Sequence, residues 1–427
     1  MGQRGKHREV GMGDDFTAVW VGQTVSLYGD YIAYLTIPLF LNELSNRAFD
    51  FGLVSAAENL PTLLFGFLGG VLLDRFRLRP ILVVGDLLRA AAFIVLAFLS
   101  TSADFQVWML LPFSFLVGSL AASFNAGLQS FLPAVVAPRL LAAANSRLSL
   151  SQQLAFLLGP LTGGLLVASL GFAAAFTFNA LTFFVSAASF FFVRSPVDRR
   201  LPSEGRVLTE VIEGWMHLWQ DTRIRLTTLA GSLGNFVTGF IEAALVLIGA
   251  RILGTDDPAQ LGLFVVGMGA GGLLGAFTAA YVIRIIGIGR AFIAGLTLFG
   301  TGLFSMTFAT GLGMVATVLV AAFMGLVWVN VSMTTMRQLY TPAHLLGRVT
   351  ATARAIAWGT LPFGALFGTA LADRIGLLTI VRVGPVLIVA FALFLISTAV
   401  WNAQAVTDHS PAHTRDGARQ PSLDEQV

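Results

Sequence analysis

The sequence predicts an all-α membrane protein with twelve transmembrane helices in two six-helix bundles related by pseudo-two-fold symmetry. Three observations carry that expectation. Of the 427 residues, 56% are apolar and only 11% are charged, against about 45–50% and about 25% in an ordinary soluble domain, so a water-soluble globule of this size could not cover itself. Turn residues and charges cut the chain into about twelve apolar segments, each long enough to cross a hydrocarbon core of about 30 Å. An even number of spans puts both termini on one side. Of the 26 basic residues, 22 fall on that side and only Arg47, Arg251, Arg374 and Arg382 on the other. The positive-inside rule then predicts a multi-pass protein of the cell (inner) membrane with both termini cytoplasmic.

In chain order, residues 1–15 form a polar cytoplasmic tail with no cleavable signal pattern. The N-terminal bundle is expected over 16–193, with spans near 16–42, 51–73, 80–100, 107–132, 144–169 and 172–193. Glu58 lies about two turns into the second span, one turn before Pro61, whose missing N–H loosens the helix there. The longest polar interruption, 194–225, lies halfway along. Within it Leu208, Val211, Ile212, Trp215 and Leu218 recur at helical spacing among Glu204, Glu210 and Glu213, predicting a short amphipathic helix that lies along the membrane interface and tethers the halves. The C-terminal bundle follows over 226–401, with spans near 226–250, 259–283, 290–309, 312–336, 345–371 and 378–401. Residues 402–427 are polar, contain Pro411 and Pro421, and read as a disordered cytoplasmic tail.

Composition also excludes function classes. Lys6, in the polar tail, is the only lysine, so a phosphate loop of the G-x-x-x-x-G-K-[ST] type cannot form, and no lysine is available in the folded core for a Schiff base. The basic surplus orients the chain and meets anionic lipid of the bilayer, so no nucleic-acid partner is expected. Gly267-Met-Gly269-Ala-Gly271-Gly272 fits G-x-G-x-x-G literally, but it sits inside a span with no βαβ unit around it and reads as a helix-packing stripe. The five histidines form no zincin pattern. The chain is therefore expected to hold no metal and no cofactor, and to be no enzyme.

The halves echo each other. Ser26-Leu27-Tyr28-Gly29-Asp30 in helix 1 resembles Ser232-Leu233-Gly234-Asn235 in helix 7. Pro138, Leu140-Leu141, Arg147 and Pro160 recur in order as Pro342, Leu345-Leu346, Arg348 and Pro362. Duplication of this kind implies two bundles with a site between them at mid-membrane.

Between spans 2 and 3 the chain reads Gly69-Gly70-Val71-Leu72-Leu73-Asp74-Arg75-Phe76-Arg77-Leu78-Arg79-Pro80. This resembles the loop signature of the major facilitator superfamily, with Gly70, Asp74, Arg75 and Arg79 in register, while Arg77 replaces a usual glycine and Leu78 a usual basic residue. The resemblance implies a conformational latch in which Asp74 meets the N-terminus of helix 11, completed by Arg348 or Arg354. Helix 5 adds Gly159-Pro160-Leu161-Thr162-Gly163-Gly164, similar to the antiporter signature of the drug-efflux branches, where small residues let a neighbouring helix approach and proline bends the span. Gln23, Gly29-Asp30 and Pro38 in helix 1, Asp86 with Arg89 in helix 3, and Leu345-Leu346-Gly347-Arg348-Val349 resemble the drug:proton antiporters that include macrolide and siderophore exporters. The arginine that many efflux relatives carry in helix 4 is missing.

Intramembrane acids are costly and therefore functional candidates. Asp30, about 20 Å along helix 1, is the first choice for a site that alternately binds protons and a cationic substrate; Glu58 and Glu242 are the others. Asp86 and Arg89, three apart on one face, are expected to form a structural charge pair. Asn125, Gln129, Gln152, Gln153, Asn235 and Asn330 offer hydrogen bonds either to a substrate or between helices, and Tyr28, Tyr31, Tyr34, Phe236, Phe240 and Trp328 offer an aromatic lining.

The resemblance implies a monomeric, proton-driven exporter of hydrophobic or amphipathic small molecules. The alternatives are a dedicated exporter of a siderophore or secondary metabolite, a nutrient importer, and a non-transporting membrane receptor.

Overall fold

The computed structural model describes residues 13–73, 78–137, 140–193, 207–342 and 345–403, with side chains omitted at 64–73, 134, 142 and 207–211. Among them there are fourteen helices: α1 (Asp14–Leu44), α2 (Ala48–Leu73), α3 (Leu78–Leu99), α4 (Val107–Val135), α5 (Leu141–Leu170), α6 (Phe172–Phe191), α7 (Val207–Gln220), α8 (Thr222–Ala243), α9 (Leu245–Leu253), α10 (Pro258–Ile286), α11 (Ile288–Met306), α12 (Leu312–Tyr340), α13 (Leu346–Ile375) and α14 (Leu377–Ile396). Nine helices among the described residues are long and apolar enough to cross a membrane, and α8 with α9 supplies another candidate as a broken pair. The chain is a multi-pass membrane protein.

Two elements depart from the sequence reading. Helix 7, expected as one span, breaks between α8 and α9 with a bend of 69°. Neither proline nor glycine marks the break; Ala244 alone leaves the helical region, its N–H still reaching the Phe240 carbonyl. The final span ends at Ile396 rather than near 401, and turns carry the chain on to Ala403. There the Ala403 carbonyl accepts from Gly289 and Trp401 lies under Arg290, tying the end to α11.

The amphipathic stretch forms α7, which is more than a tether. Gly214 lies against the Arg348 carbonyl of α13, and Glu213 pairs with Arg348. Leu218 is buried with Ile224, Val349 and Ala353. Ile212, Trp215 and Met216 stay about half exposed, a pattern suited to a helix lying in the headgroup region.

Helix pairing repeats between the halves. In the first, α1 packs on α5 and α6, α2 on α4, and α3 on α4 and α6; in the second, α8 packs on α13 and α14, α10 on α12, and α11 on α12 and α14. The turns between α5 and α6 and between α13 and α14 both rest on one glycine in a positive-φ conformation, Gly171 (82°) and Gly376 (95°), where a side chain would be strained. Glycine also permits the tight seams. Gly267, Gly271 and Gly275 of α10 abut Ala316, Val320 and Met324 of α12, while Gly269 abuts Leu157 of α5. The glycine run that mimics a dinucleotide motif is thus a packing surface on two faces.

The halves meet through α2 with α13 and α5 with α10. At the end of the spans opposite the termini these contacts are intimate. A Cβ at Gly164 would fall on the Pro258 carbonyl, and one at Gly52 on Thr369. The N–H groups of Ala48 and Phe49, which open α2, donate to the Asp373 carboxylate at 2.9 and 3.1 Å. A helix N-terminus in one half is thereby capped by an acid from the other.

Asp373→Ala removes two charge-assisted bonds, each worth about 1.5–3 kcal/mol, and should shift the protein toward states open at that end. The chain contains no cysteine, so a Ser55→Cys probe gives labelling without background. Modification of that probe from the side opposite the termini should rise at least about tenfold with Asp373→Ala; unchanged labelling would refute the cap's role.

Candidate functional site

The acids nominated from sequence converge. A cavity of about 290 Å³ is lined by Asp30 of α1, Glu58 of α2 and Glu242 of α8. This is near the lower end of the ~300–1,000 Å³ typical of small-molecule pockets. Its walls come mainly from α1, α2 and α4, with Phe93 from α3 and only Glu242 and Ala243 from the second half. The sequence reading expected a site between the halves; α1, α2 and α4 of the first half supply most of the lining, and the second half adds Glu242 and Ala243.

Each acid is held by local features. Gly29 sits tightly on Asn179 and Thr182 of α6, which fixes the turn of α1 that carries Asp30. The Glu58 carbonyl lies against Gly118, so α4 closes directly behind the acid. Glu242 belongs to the last turn of α8, two residues before the break at Ala244. Interrupted helices are a recurrent way to bring polar groups to a mid-membrane site.

Asp30 has a neighbour that spacing along the sequence did not reveal. Arg89, only 3% exposed, pairs with Asp86 and also lies 3.9 Å from the Asp30 carboxylate. Phe124 and Phe183 sandwich its guanidinium at 4.4 Å from each ring centroid, a cation–π clamp. Ser186 donates to Asp86 at 2.6 Å, and Gln23 donates to Ser186 at 2.8 Å. Gln23, Ser186, Asp86, Arg89 and Asp30 thus form one polar chain through α1, α6 and α3. The Asp86–Arg89 pair expected from sequence is present, but Arg89 is more than a neutraliser of Asp86 and is no interfacial orienting charge. It supplies from α3 a buried cation in a protein whose helix 4 has none.

The aromatic and amide candidates fare unevenly. Tyr31 and Tyr34 line the cavity, joined by Phe51, Phe93 and Phe113. Tyr28 instead bonds Thr162 across to α5, Trp328 donates to Thr278, and Phe240 is packed in the core against Gly368. Phe236 backs onto Gly364. Gln152 stands just outside the lining and donates to the Tyr31 hydroxyl at 3.3 Å. Asn235 donates to the Ala357 carbonyl, the interhelical use of an amide in a span. Asn125, Gln129 and Asn330 are exposed and do not line the cavity. The neutral polar groups that do line it are Ser55, Asn59 and Ser114. Ser55 lies one helical turn before both Glu58 and Asn59, at i+3 and i+4, and that spacing could have found it from Glu58.

The Gly-Pro run of α5 lies beside this site. Gly159 and Gly163 abut Tyr31 and Ile32 of α1, and Gly164 abuts Pro258 of α10. One face of α5 thereby touches the turn next to Asp30 and the other touches the second half.

Of the latch residues, Gly70 falls in α2, Arg79 donates to the Phe191 carbonyl at 3.2 Å, Arg348 pairs with Glu213, and Arg354 lies over Trp358. Asp74 and Arg75 lie outside the described residues.

Comparison with known proteins adds to the geometry. The family profile described as Major Facilitator Superfamily matches residues 19–363. Macrolide efflux protein A of Streptococcus pyogenes is 27% identical over 371 residues, covering 84% of this chain and 90% of that protein. Multidrug efflux pump Tap of Mycolicibacterium fortuitum is 24% identical over 361 residues, covering 82% and 87%. Among solved structures, the nucleoside transporter NupG superposes with a TM-score of 0.72 at 8% identity over 90% of this chain and 98% of that one. A bacterial homologue of the iron transporter ferroportin in an inward-facing state superposes with a TM-score of 0.66 at 16% identity over 90% and 99%. At those identities the superpositions speak for the fold alone.

Proposed function

The chain belongs to the major facilitator superfamily, whose members transport small molecules and are not enzymes, and from that premise we propose that it is a proton-coupled exporter of amphipathic, preferentially cationic compounds. One observation carries the reading: Asp30, Glu58 and Glu242 line the same aromatic cavity, with Arg89 at its edge. Three carboxyl groups line the cavity, and the guanidinium beside Asp30 is already paired with Asp86, which leaves a surplus of negative charge in an apolar setting. Either protons or a cationic substrate neutralise it. Competition between the two for one set of acids is the physical requirement for antiport.

Further support comes from the printed functions of the relatives, which are macrolide and multidrug efflux. The absence of any lysine beyond Lys6 removes a phosphate-loop ATPase as the energy source within this chain, which favours a proton gradient. Repeated helix pairing in the two halves favours twelve spans in two six-helix bundles that rock against each other, the broken α8–α9 pair counting as one span. The basic surplus favours cytoplasmic termini in the cell membrane. With that orientation, the end closed by Gly164, Pro258 and Asp373 is the outer one, which favours an inward-facing state.

Expression in a susceptible bacterial host tests the reading. Tolerance should rise toward several chemically unrelated amphipathic compounds, and a protonophore should abolish the effect. Protection against a single compound would favour the dedicated exporter that the small cavity also suits. No protection, together with no change on neutralising all three acids, would overturn export.

A further inference from the structure

A second pocket lies at the end of the spans that carries the termini, where α12 finishes and α13 begins. Its volume is about 540 Å³, and Thr334, Arg337, Gln338, Gly347, Thr350 and Arg354 line it. Neither aspartate nor glutamate is among the described lining residues. Arg337 is only 5% exposed, and its Nε has no hydrogen-bond partner among the described residues. Arg354 lines the same space, held over the Trp358 ring with its guanidinium carbon 5.7 Å from the centroid. The first turn of α13 opens into the pocket at Gly347, and no side chain among the described residues caps that helix.

We propose that this pocket is a binding site for a phosphate-class anion. Two guanidinium groups facing one cavity with no acid among its described lining residues form a repulsive pair unless a counter-charge enters. A buried arginine whose Nε finds no partner among the described residues carries a large desolvation cost. A phosphate group answers every unmet demand at once. It accepts paired hydrogen bonds from guanidinium groups, and its charge is stabilised at a helix N-terminus. Thr334, Thr350 and Gln338 add neutral donors. Because Arg337 lies one turn from the end of α12, the pocket sits at headgroup depth, where basic clefts between spans take anionic lipid. The same chemistry would accept a soluble phosphate. Nothing here depends on the direction or energetics of transport.

The test uses the purified full chain in uncharged detergent micelles, with thermal unfolding as the readout. One arm adds phosphatidylglycerol, a second adds phosphatidylcholine, and a third adds inorganic phosphate at constant ionic strength. Phosphatidylglycerol or inorganic phosphate should raise the midpoint, while phosphatidylcholine should not. A response to lipid alone assigns the anion to a headgroup, and a response to phosphate alone assigns it to a soluble ligand; both uphold the site. Arg337→Gln should weaken the response about tenfold or more, as expected for loss of a charged hydrogen-bond partner. Arg354→Glu, at an exposed position, keeps the test sound should Arg337→Gln not fold: its carboxylate takes the anion's place beside Arg337 and should abolish the response. Arg290→Glu, at the same end but beside Trp401, should leave it unchanged. No anion-dependent shift in the wild type would overturn the proposal. So would equal responses in wild type and Arg354→Glu, or an equal loss in Arg290→Glu.

Discussion

Asp30→Asn should reduce proton-driven export by about a hundredfold, some 2.7 kcal/mol in rate terms, while the purified protein unfolds at nearly the wild-type temperature. The basis is position. Asp30 is the acid that both lines the cavity and lies within 3.9 Å of a buried arginine, so its charge is felt by the substrate space and by the polar chain behind it. Asparagine keeps the shape and loses the exchangeable charge. Its side chain is about 40% exposed to the cavity, so the fold depends little on it. Substrate exchange without a gradient should persist at a larger fraction of wild type than gradient-driven export, because the substitution removes coupling rather than the cavity. Glu58→Gln and Glu242→Gln should each weaken export less, since neither has a cation at hand. Dye efflux from energised cells, compared with exchange in de-energised ones, separates these effects. An Asp30→Asn protein that exports at the wild-type rate would remove this residue from the mechanism.

Arg89→Met should have the largest effect on stability, about 3–5 kcal/mol. It leaves the fully buried Asp86 carboxylate with Ser186 as its one partner among the described residues and puts a neutral thioether where the guanidinium sat between Phe124 and Phe183. Removing both charges together is far less costly than removing one, because no uncompensated ion remains. The double variant Asp86→Asn/Arg89→Met should therefore recover most of the lost thermal stability, a coupling that a double-mutant cycle measures directly. Export should not recover with it, since Asp30 still lacks its cation. If the double variant restored export as well as stability, Arg89 would be no more than a structural counter-charge.

Much of this molecule is legible before any coordinates. Apolar periodicity and turn residues place the helices to within a few residues, because a hydrocarbon core imposes length and polarity on every span. The acids are equally visible, since an ionised side chain in a span is rare enough to mark itself. The approach of Arg89 to Asp30 is hidden, for it depends on how α3 lies against α1 rather than on spacing along either helix. The break at Ala244 is hidden as well. It has no proline or glycine at the bend. Amides misled for a different reason. Asn235 finds the Ala357 carbonyl within the helix bundle, and the sequence cannot tell that use from a substrate contact. The role of α7 against α13 was half visible: the apolar stripe was evident, but the pairing of Glu213 with Arg348 required the fold.

The coupling of protons to substrate through one acidic cavity is tested most directly in liposomes holding the purified protein as the sole membrane protein. An imposed pH gradient, with the membrane potential clamped, should drive a fluorescent amphipathic cation into the lumen against its concentration gradient. That accumulation should collapse with a protonophore and be absent when Asp30, Glu58 and Glu242 are all neutralised. Accumulation that ignores the pH gradient, or that survives neutralisation of all three acids, would contradict the account.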